Sequence, residues 1–478
     1  YLGNLMVVSG YLQTNSNLRT KRNSGEKISK LLFKLAVPSV VAQLVNLLYN
    51  MVDRVYIGHM AEVGSLALTG VGVCMPVIML VSAFACLVGM GGAPQVSICM
   101  GKKEYDKAEK IMGNCLIFLI AISIILTATF LIFGERLLMV FGASANTIGF
   151  AMDYMRIYVL GTIFVQLALG MNMFITCQGF TKVSMMSVVI GAVLNIILDP
   201  ILIFVFDLGV KGAALATIIS QAVSAVWVVA FLAGKKTGIR LKKKYFKIDF
   251  KVLAPCIGLG VSPFIMQATE SVINVCFNSS LLKYGGDLAV GAMTVLATVM
   301  QFSMLPLQGL TQGAQPITSY NYGAGNAKRV KESFSLLLKV CLAYSMLLWL
   351  LVMLMPDKFV MMFNSDPNLV EYGSWAMRIY FAVSGIFGIQ VACQQTFIAI
   401  GNAKTSLFLA ILRKILLLIP LIYILPMFFE NKAMAVYLAE PVADAIAVIT
   451  TGILFIRSFR KTIKRMEEKN NSSEVGTV

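Results

Sequence analysis

The sequence predicts an all-α membrane protein: twelve transmembrane helices in two six-helix bundles, related by a parallel internal repeat. Three observations carry this expectation. Of 478 residues, 58% are apolar and only 13% are charged, with mean hydropathy +0.80; soluble domains carry about 25% charged residues. The apolar residues are gathered into runs that reach or exceed the roughly 20 residues a bilayer-spanning helix requires. Finally, the second half of the chain matches the first at a nearly fixed offset.

The first six runs cover residues 31–58, 66–100, 111–133, 150–177, 183–206 and 212–233. The other six cover 253–282, 288–320, 334–355, 369–400, 407–429 and 433–456. Several are longer than a bilayer needs, which predicts tilt, kinks or protrusion. The expected organisation is therefore a polar arm (1–30), an N-lobe (31–233), a basic linker (234–251), a C-lobe (252–456) and a tail (457–478). The arm has no apolar core resembling a signal peptide and is expected to be a mobile cytoplasmic extension.

Orientation follows from Lys and Arg, which concentrate on the cytoplasmic side. The arm, the even-numbered loops and the tail hold 28 of these residues, whereas the odd-numbered loops hold 5. Both termini are thus expected in the cytoplasm, and the net charge of +17 reads as a topology signal rather than a nucleic-acid surface. At an offset of 222, Gly101 falls on Gly323, Phe141 on Phe363, Gly179 on Gly401, Lys182 on Lys404 and Ser184 on Ser406. The tetrapeptide Met155-Arg156-Ile157-Tyr158 recurs as Met377-Arg378-Ile379-Tyr380, and Pro38 falls on Pro263 at an offset of 225. Six spans is an even number, so the halves share one orientation, as in the parallel repeats of some transporters.

Other classes lack material. A single histidine, His59, lies in a short loop and leaves no nucleophile–base set for an enzyme and no His-based metal site. Nine scattered cysteines have no C-x-x-C spacing and read as small buried apolar residues. No catalytic residue, metal or cofactor is expected, apart from H⁺ or Na⁺ as a coupling ion. A channel has no positive feature, and a flippase for lipids or lipid-linked oligosaccharides is the alternative on a related fold.

Carboxylates inside spans are expensive, about 2.5–3.5 kcal/mol each on the most lenient scale, and normally face a cavity or a partner. Asp53 in span 1 and Asp199 in span 5 are expected toward the outer side of the N-lobe, at ~33 Å and ~24 Å along their helices. Asn195 precedes Asp199 by one turn, Tyr49 precedes Asp53 by one turn, and Thr217 enters span 6 at comparable depth. These five residues form a candidate cation or proton site, because two close carboxylates with neutral oxygens suit either Na⁺ or a bound proton; a structural hydrogen-bond network is the alternative. The C-lobe does not repeat the cluster: Asp53 falls on Asn278, and Asp199 falls near Ile419-Pro420. Instead it carries Glu270, Arg413, Lys414, Glu440 and Asp444. Arg413 and Asp444 lie at matching depths and are expected to form a structural ion pair, with substrate contact as the other reading of Asp444. Glu270 has no evident partner and is a candidate for the substrate path or for secondary coupling. Pro38, fifteen residues before Asp53, is a candidate hinge.

With these residues in place, the sequence resembles the multidrug and toxic compound extrusion (MATE) family, in wording nearest the staphylococcal-type bacterial drug pumps. The resemblance runs from about residue 27 to 457 and rests on Leu35-Ala36-Val37-Pro38-Ser39, Asn50-Met51-Val52-Asp53-Arg54-Val55-Tyr56-Ile57-Gly58 and Gly92-Ala93-Pro94-Gln95. It continues through Cys177-Gln178-Gly179, Asn195-x-x-x-Asp199-Pro200, Gly209-Val210-Lys211-Gly212, Gln312-Gly313-Ala314-Gln315-Pro316 and Tyr320-Asn321-Tyr322-Gly323-Ala324. What the resemblance implies is an antiporter that exports lipophilic cations in exchange for H⁺ or Na⁺, in a bacterial cytoplasmic membrane, with small-molecule and lipid partners and a monomeric state. It also implies an N-lobe cation site at Asp53, Asn195, Asp199 and Thr217, and likens Glu270 to an acidic residue that some members use in span 7. An acidic residue that other members carry in span 10 is missing.

Overall fold

The computed structural model describes residues 26–60, 64–363 and 365–475; residues 1–25 of the expected arm and the end of the tail lie outside the described residues. Every regular element among them is helical. Six elements make the first half: α1 (Ile28–Gly58), α2 (Leu66–Gly101), α3 (Tyr105–Val140), α4 (Ile148–Leu160 with Thr162–Cys177), α5 (Thr181–Val205) and α6 (Val210–Ala233). The second half opens with α7 (250–285) and α8 (287–323), followed by α9 (Ala327–Leu354), α10 (Pro367–Tyr380 with Ser384–Ala399), α11 (Ala403–Met427) and α12 (Lys432–Asn470).

Twelve crossings follow from chain geometry. The stretch Phe250–Gly323 is 74 residues of almost unbroken helix, which if straight would run ~111 Å, several times a bilayer's ~30 Å hydrocarbon core. It is instead divided at Gly286, whose φ of 67° and ψ of −164° lie in a region open essentially only to glycine. Both α4 and α10 are bent, by 60° and 47°. The breaks fall at Gly161 and in the segment 381–383, the same place in the 222-residue repeat.

One face of the bundle holds the start of α1, the α8–α9 turn and the end of α12. Arg329 Nη2 donates to the Glu26 carbonyl at 3.1 Å, and Asn470 Nδ2 donates to the Gly325 carbonyl at 2.9 Å. On this near face the basic linker is strapped down by polar side chains, one buried (Asn114) and one half-buried (Gln178). Asn114 Oδ1 accepts from the Asp249 N–H at 2.7 Å, and Gln178 Oε1 accepts from the Ile239 N–H at 3.2 Å. Asp249 caps α7 by accepting from the Lys251 N–H, and its ion pair with Lys110 at 2.8 Å holds its carboxyl below the ordinary value.

The division of the sequence at the linker does not coincide with the division of the core. The near half of α1 (Ile28, Leu31, Leu32, Leu35, Ala36) packs with Leu307, Ala314 and Ile317 of α8 and with Leu337 and Cys341 of α9. Reciprocally, Leu253 and Cys256 of α7 belong to the N-lobe core beside α2 and α3. Each lobe's first helix therefore leans on the opposite lobe near this face and returns to its own lobe further out, where Ile57 joins the N-lobe core and Ile273 and Phe277 join the C-lobe core.

Glycines allow these helices to approach backbone to backbone. A Cβ on Gly101 would overlap the Tyr320 carbonyl, and one on Gly323 would overlap the Ile98 carbonyl; Ile98 and Tyr320 are themselves repeat mates at the 222 offset. Gly91 abuts the Cys256 carbonyl and Gly260 abuts the Leu87 carbonyl, while Gly309 and Gly313 abut Val40 and Ala36. These six positions lie within ~21 Å of the near-face ends of their helices, so the glycine contacts zip the near half of the molecule.

The chain reversal at Gly286 generates a test. No atom lies within 4 Å of a Cβ built there, so Gly286→Ala costs backbone strain alone, about 1–3 kcal/mol. Gly149→Ala, equally unobstructed and without positive φ, is expected to leave stability unchanged. Thermal unfolding of the two purified variants in detergent makes the comparison.

Candidate functional site

Four helices build the N-lobe site. On α1, Asn46, Tyr49 and Asp53 recur at three- and four-residue spacing and so share a helix face. Asn195 and Asp199 share one on α5, Thr217 comes from α6, and Tyr154 comes from α4. Asp199 is fully buried, Asn195 is 1% exposed and Asp53 is 9% exposed. The Asp53 and Asp199 carboxyls lie close enough to interact electrostatically. Asn195 Nδ2 donates to Asp199 Oδ1 at 3.3 Å and points toward Thr217 Oγ1 at 3.5 Å. The Thr217 hydroxyl in turn donates to the Ala213 carbonyl at 3.0 Å. Tyr49 approaches Gln221, and Tyr154 approaches both Thr217 and Asp53. All five residues expected to converge do so; Tyr154 was not expected, since its position near the start of a bent helix carries no signal in sequence.

The site is incomplete in one chemical sense. Asp53 Oδ1, Asp199 Oδ2 and Asn195 Oδ1 are buried acceptors without a hydrogen-bond donor. The nearby Arg54 is exposed and points its guanidinium at Met75, and no ion pair to either aspartate forms among the described residues. Buried polar atoms are almost always satisfied, and an unpaired buried carboxylate is costlier still. A proton or a small cation placed between Asp53 and Asp199 supplies what is missing. Immediately beyond Asp199-Pro200, α5 widens into a π-helical turn, Ile201–Val205, a distortion frequent at functional sites.

In the C-lobe the acids are paired. Arg413 Nε donates to Asp444 at 2.6 Å and Arg413 Nη2 to Glu440 at 3.0 Å; the guanidinium also lies 4.6 Å from the Phe387 ring centroid. Glu270, expected to lack a partner, has one: Lys414 Nζ lies 2.8 Å from its Oε2. Arg413 and Lys414 both sit in another π-helical segment, Leu412–Leu418, which lets adjacent residues serve two carboxylate groups. Glu270 follows two interior prolines of α7, Pro255 and Pro263, and Thr269 before it keeps right-handed helical backbone (φ −79°, ψ −12°). The Glu270 side chain remains 44% exposed, unlike Glu440 and Asp444. Pro38 lies within α1, which runs as one continuous helix through it. Among the described residues no three His, Cys, Asp or Glu side chains converge as a metal site.

Two six-helix lobes in parallel repeat, with an unsatisfied acidic pair in one lobe only, define a polytopic membrane transporter. The MatE family model matches residues 38–201 and 263–424, one match per half, and the chain belongs to that family, the MATE transporters. It is not an enzyme. Among its relatives, the multidrug export protein MepA of Staphylococcus haemolyticus is 24% identical over 402 residues, covering 84% of this chain and 88% of that protein. MepA of Staphylococcus saprophyticus is 24% identical over 447 residues, covering 92% and 96%. Among solved structures, one reported as MATE in the bent conformation superposes with a TM-score of 0.86 at 21% identity, over 92% of this chain and 98% of that one. An outward-facing multidrug resistance MATE family transporter gives 0.84 at 21% identity, over 94% and 98%.

The C-lobe network predicts an asymmetric response. Arg413→Met leaves two buried carboxylates unpaired and is expected to cost about 3–5 kcal/mol. Adding Glu440→Gln and Asp444→Asn to it should recover most of that loss, because the stranded charges are gone. Thermal unfolding of the single and triple variants reads the difference.

Proposed function

We propose that this protein is a secondary active multidrug efflux antiporter, exporting cationic lipophilic compounds in exchange for H⁺ or Na⁺ by alternating access. The reading places it as a monomer in a bacterial cytoplasmic membrane, with the near face and both termini in the cytoplasm. The single observation that carries the coupling is the Asp53–Asp199 pair, buried with unsatisfied oxygens at the far end of α1. Binding of a cation there removes mutual repulsion, and α1 is the helix whose near half packs on the opposite lobe. A change at Asp53 is thus transmitted mechanically to the lobe interface, with Pro38, between the two regions, as the hinge. Coupling then needs only that ion and drug favour different states. The curated relatives named as multidrug export proteins support the substrate class. Glu270, the exposed member of its ion pair, is the candidate for the substrate path; Asp444, held by Arg413, takes the structural role.

The test is ethidium transport in reconstituted vesicles with ΔpH and ΔNa⁺ imposed separately. Transport driven by one gradient alone names the ion. Asp53→Asn and Asp199→Asn are each expected to abolish gradient-driven transport while preserving a monodisperse, ethidium-binding protein. Wild-type rates in both variants would remove the site from the mechanism, and no transport under either gradient would move the substrate toward lipids or a specific metabolite.

A further inference from the structure

Below the carboxylate pair, the N-lobe contains a polar column that a hydrogen-bonded scaffold alone does not explain. On α5, Ser184, Ser187, Gly191, Asn195 and Asp199 follow one another at spacings of three or four residues and line one face. On α6, Thr217, Gln221 and Ser224 do the same, with Ser220 beside them. The two faces meet: Ser224 Oγ donates to the Ser187 carbonyl at 2.9 Å. Gly191 lets Ser224 sit directly against α5, since a Cβ there would stand 2.5 Å from Ser224 Oγ.

Between these faces lies a cavity bordered by Asn46 and Tyr49 of α1, Asn195 and Ser187 of α5, and Ser220 and Gln221 of α6, with about 30 Å³ open to water. A water needs about 10–15 Å³ of such space and two to four polar partners. Two of its bordering groups are idle: Ser220 Oγ, 3% exposed as a residue, and Asn195 Oδ1 have no hydrogen bond, and Asp199 Oδ2, also unpartnered, lies one turn of α5 beyond Asn195, outside the cavity lining. Toward the near face further polar groups follow, most of them resting on backbone carbonyls, so that waters must bridge the hydroxyls. Ser187 Oγ donates to the Ser184 carbonyl at 2.8 Å, Thr176 Oγ1 donates to Ser184 Oγ at 2.9 Å, and Asn172 Nδ2 donates to the Ser184 carbonyl at 3.3 Å. Asn172 Oδ1 is again buried and unpartnered. Ser184 sits only ~5 Å along α5 from its near-face start, whereas Asp199 sits ~27 Å along it.

We propose that this column is a water-filled proton path through the interior of the N-lobe, connecting the Asp53–Asp199 pair to the near face without passing through the crevice between the lobes. The proposal rests on the reading of that pair as the coupling site. A water lodged between Asp199 and the cavity, beside Asn195, accepts the proton as the carboxyl O–H breaks. Each successive water or hydroxyl passes one proton on and receives one, and the excess proton leaves to solvent beyond Ser184. The route makes release independent of the glycine-zipped interface, which stays shut while the pair discharges.

Two experiments test the path. In a cysteine-free background, Ser224→Cys is exposed to Ag⁺ from the near face, after Gln43→Cys and Gln312→Cys have been cross-linked to lock the lobes. Gln43 and Gln312 already meet across the interface at 3.3 Å. Silver protection of the thiol introduced by Ser224→Cys in locked protein, counted afterwards by maleimide mass shift in denaturant, is expected. Protection only in unlocked protein, or none, overturns the path.

The second experiment needs no cysteine background. Ser187→Val with Ser220→Val should lose ΔpH-driven ethidium transport while ethidium binding is retained. Unimpaired transport in this double variant, with Asp199→Asn inactive, would reject the column and leave the antiport site standing. Unimpaired transport in Asp199→Asn as well would reject both. Transport driven by ΔNa⁺ alone would reject the path as a proton route.

Discussion

Two carboxyls held side by side in an apolar bundle cannot both be charged without something positive between them, and much of the N-lobe is arranged around that constraint. Desolvation and mutual repulsion both disfavour the doubly ionised pair. The surrounding groups soften the problem without removing it. Asn195 offers one donor to Asp199, Thr217 spends its proton on the Ala213 carbonyl, and Arg54 lies outside. Where a static scaffold would be expected to satisfy its acids, this one leaves three oxygens open. The C-lobe shows what satisfaction looks like in the same fold: Arg413 presents a planar fork to two acids at once, the geometry for which arginine is suited.

The glycine contacts convert that local constraint into a global one. Helices that touch through backbone atoms have no side chains to act as compliant spacers, so their separation is set by hard van der Waals contact. Around the interface Gly101 with Tyr320 and Gly323 with Ile98 are repeat mates, and Gly91 on the Cys256 carbonyl has a counterpart in Gly313 on Ala36, the two glycines standing 222 residues apart. A surface built in this way has a closed geometry in which every contact is made together. α1 and α7 carry the lobe exchange across it, which is why a six-plus-six division of the sequence describes the repeat but not the packing.

Much of this was legible in the sequence, for reasons that can be named. Helical periodicity put Asn195 with Asp199 and Tyr49 with Asp53, and span depth brought the two pairs to one level; both inferences hold because α1 and the relevant part of α5 are regular helix. Arg413 and Asp444 met for the same reason of depth. Glu270 and Lys414 did not look like partners because a regular helix turns neighbouring residues ~100° apart, which would aim Lys414 away from the acids that Arg413 meets. The π-helical widening of α11 from Leu412 carries both side chains toward them. The reciprocal crossing of α1 and α7 was equally hidden: an apolar helix buried against either lobe has the same composition.

The asymmetry between the lobes bears on why a duplicated scaffold would keep an acid cluster in one copy. In the C-lobe three acids face two bases, and the one acid with an exposed side chain, Glu270, is held by the more flexible of the two cations, Lys414. A lysine on its four-carbon stem can follow or release a carboxylate, whereas the Arg413 fork holds its pair by several bonds at once. On the proposed reading the lobes therefore divide the work. The N-lobe binds and discharges the ion at a site poor in counter-charge, and the C-lobe supplies a rigid frame with a single adjustable carboxylate at its edge. α1 joins the two, since its far half carries Asp53 and its near half is packed into the frame. Without that crossing, charge at Asp53 would change only its own lobe; with it, one helix couples the electrostatics of one bundle to the position of the other.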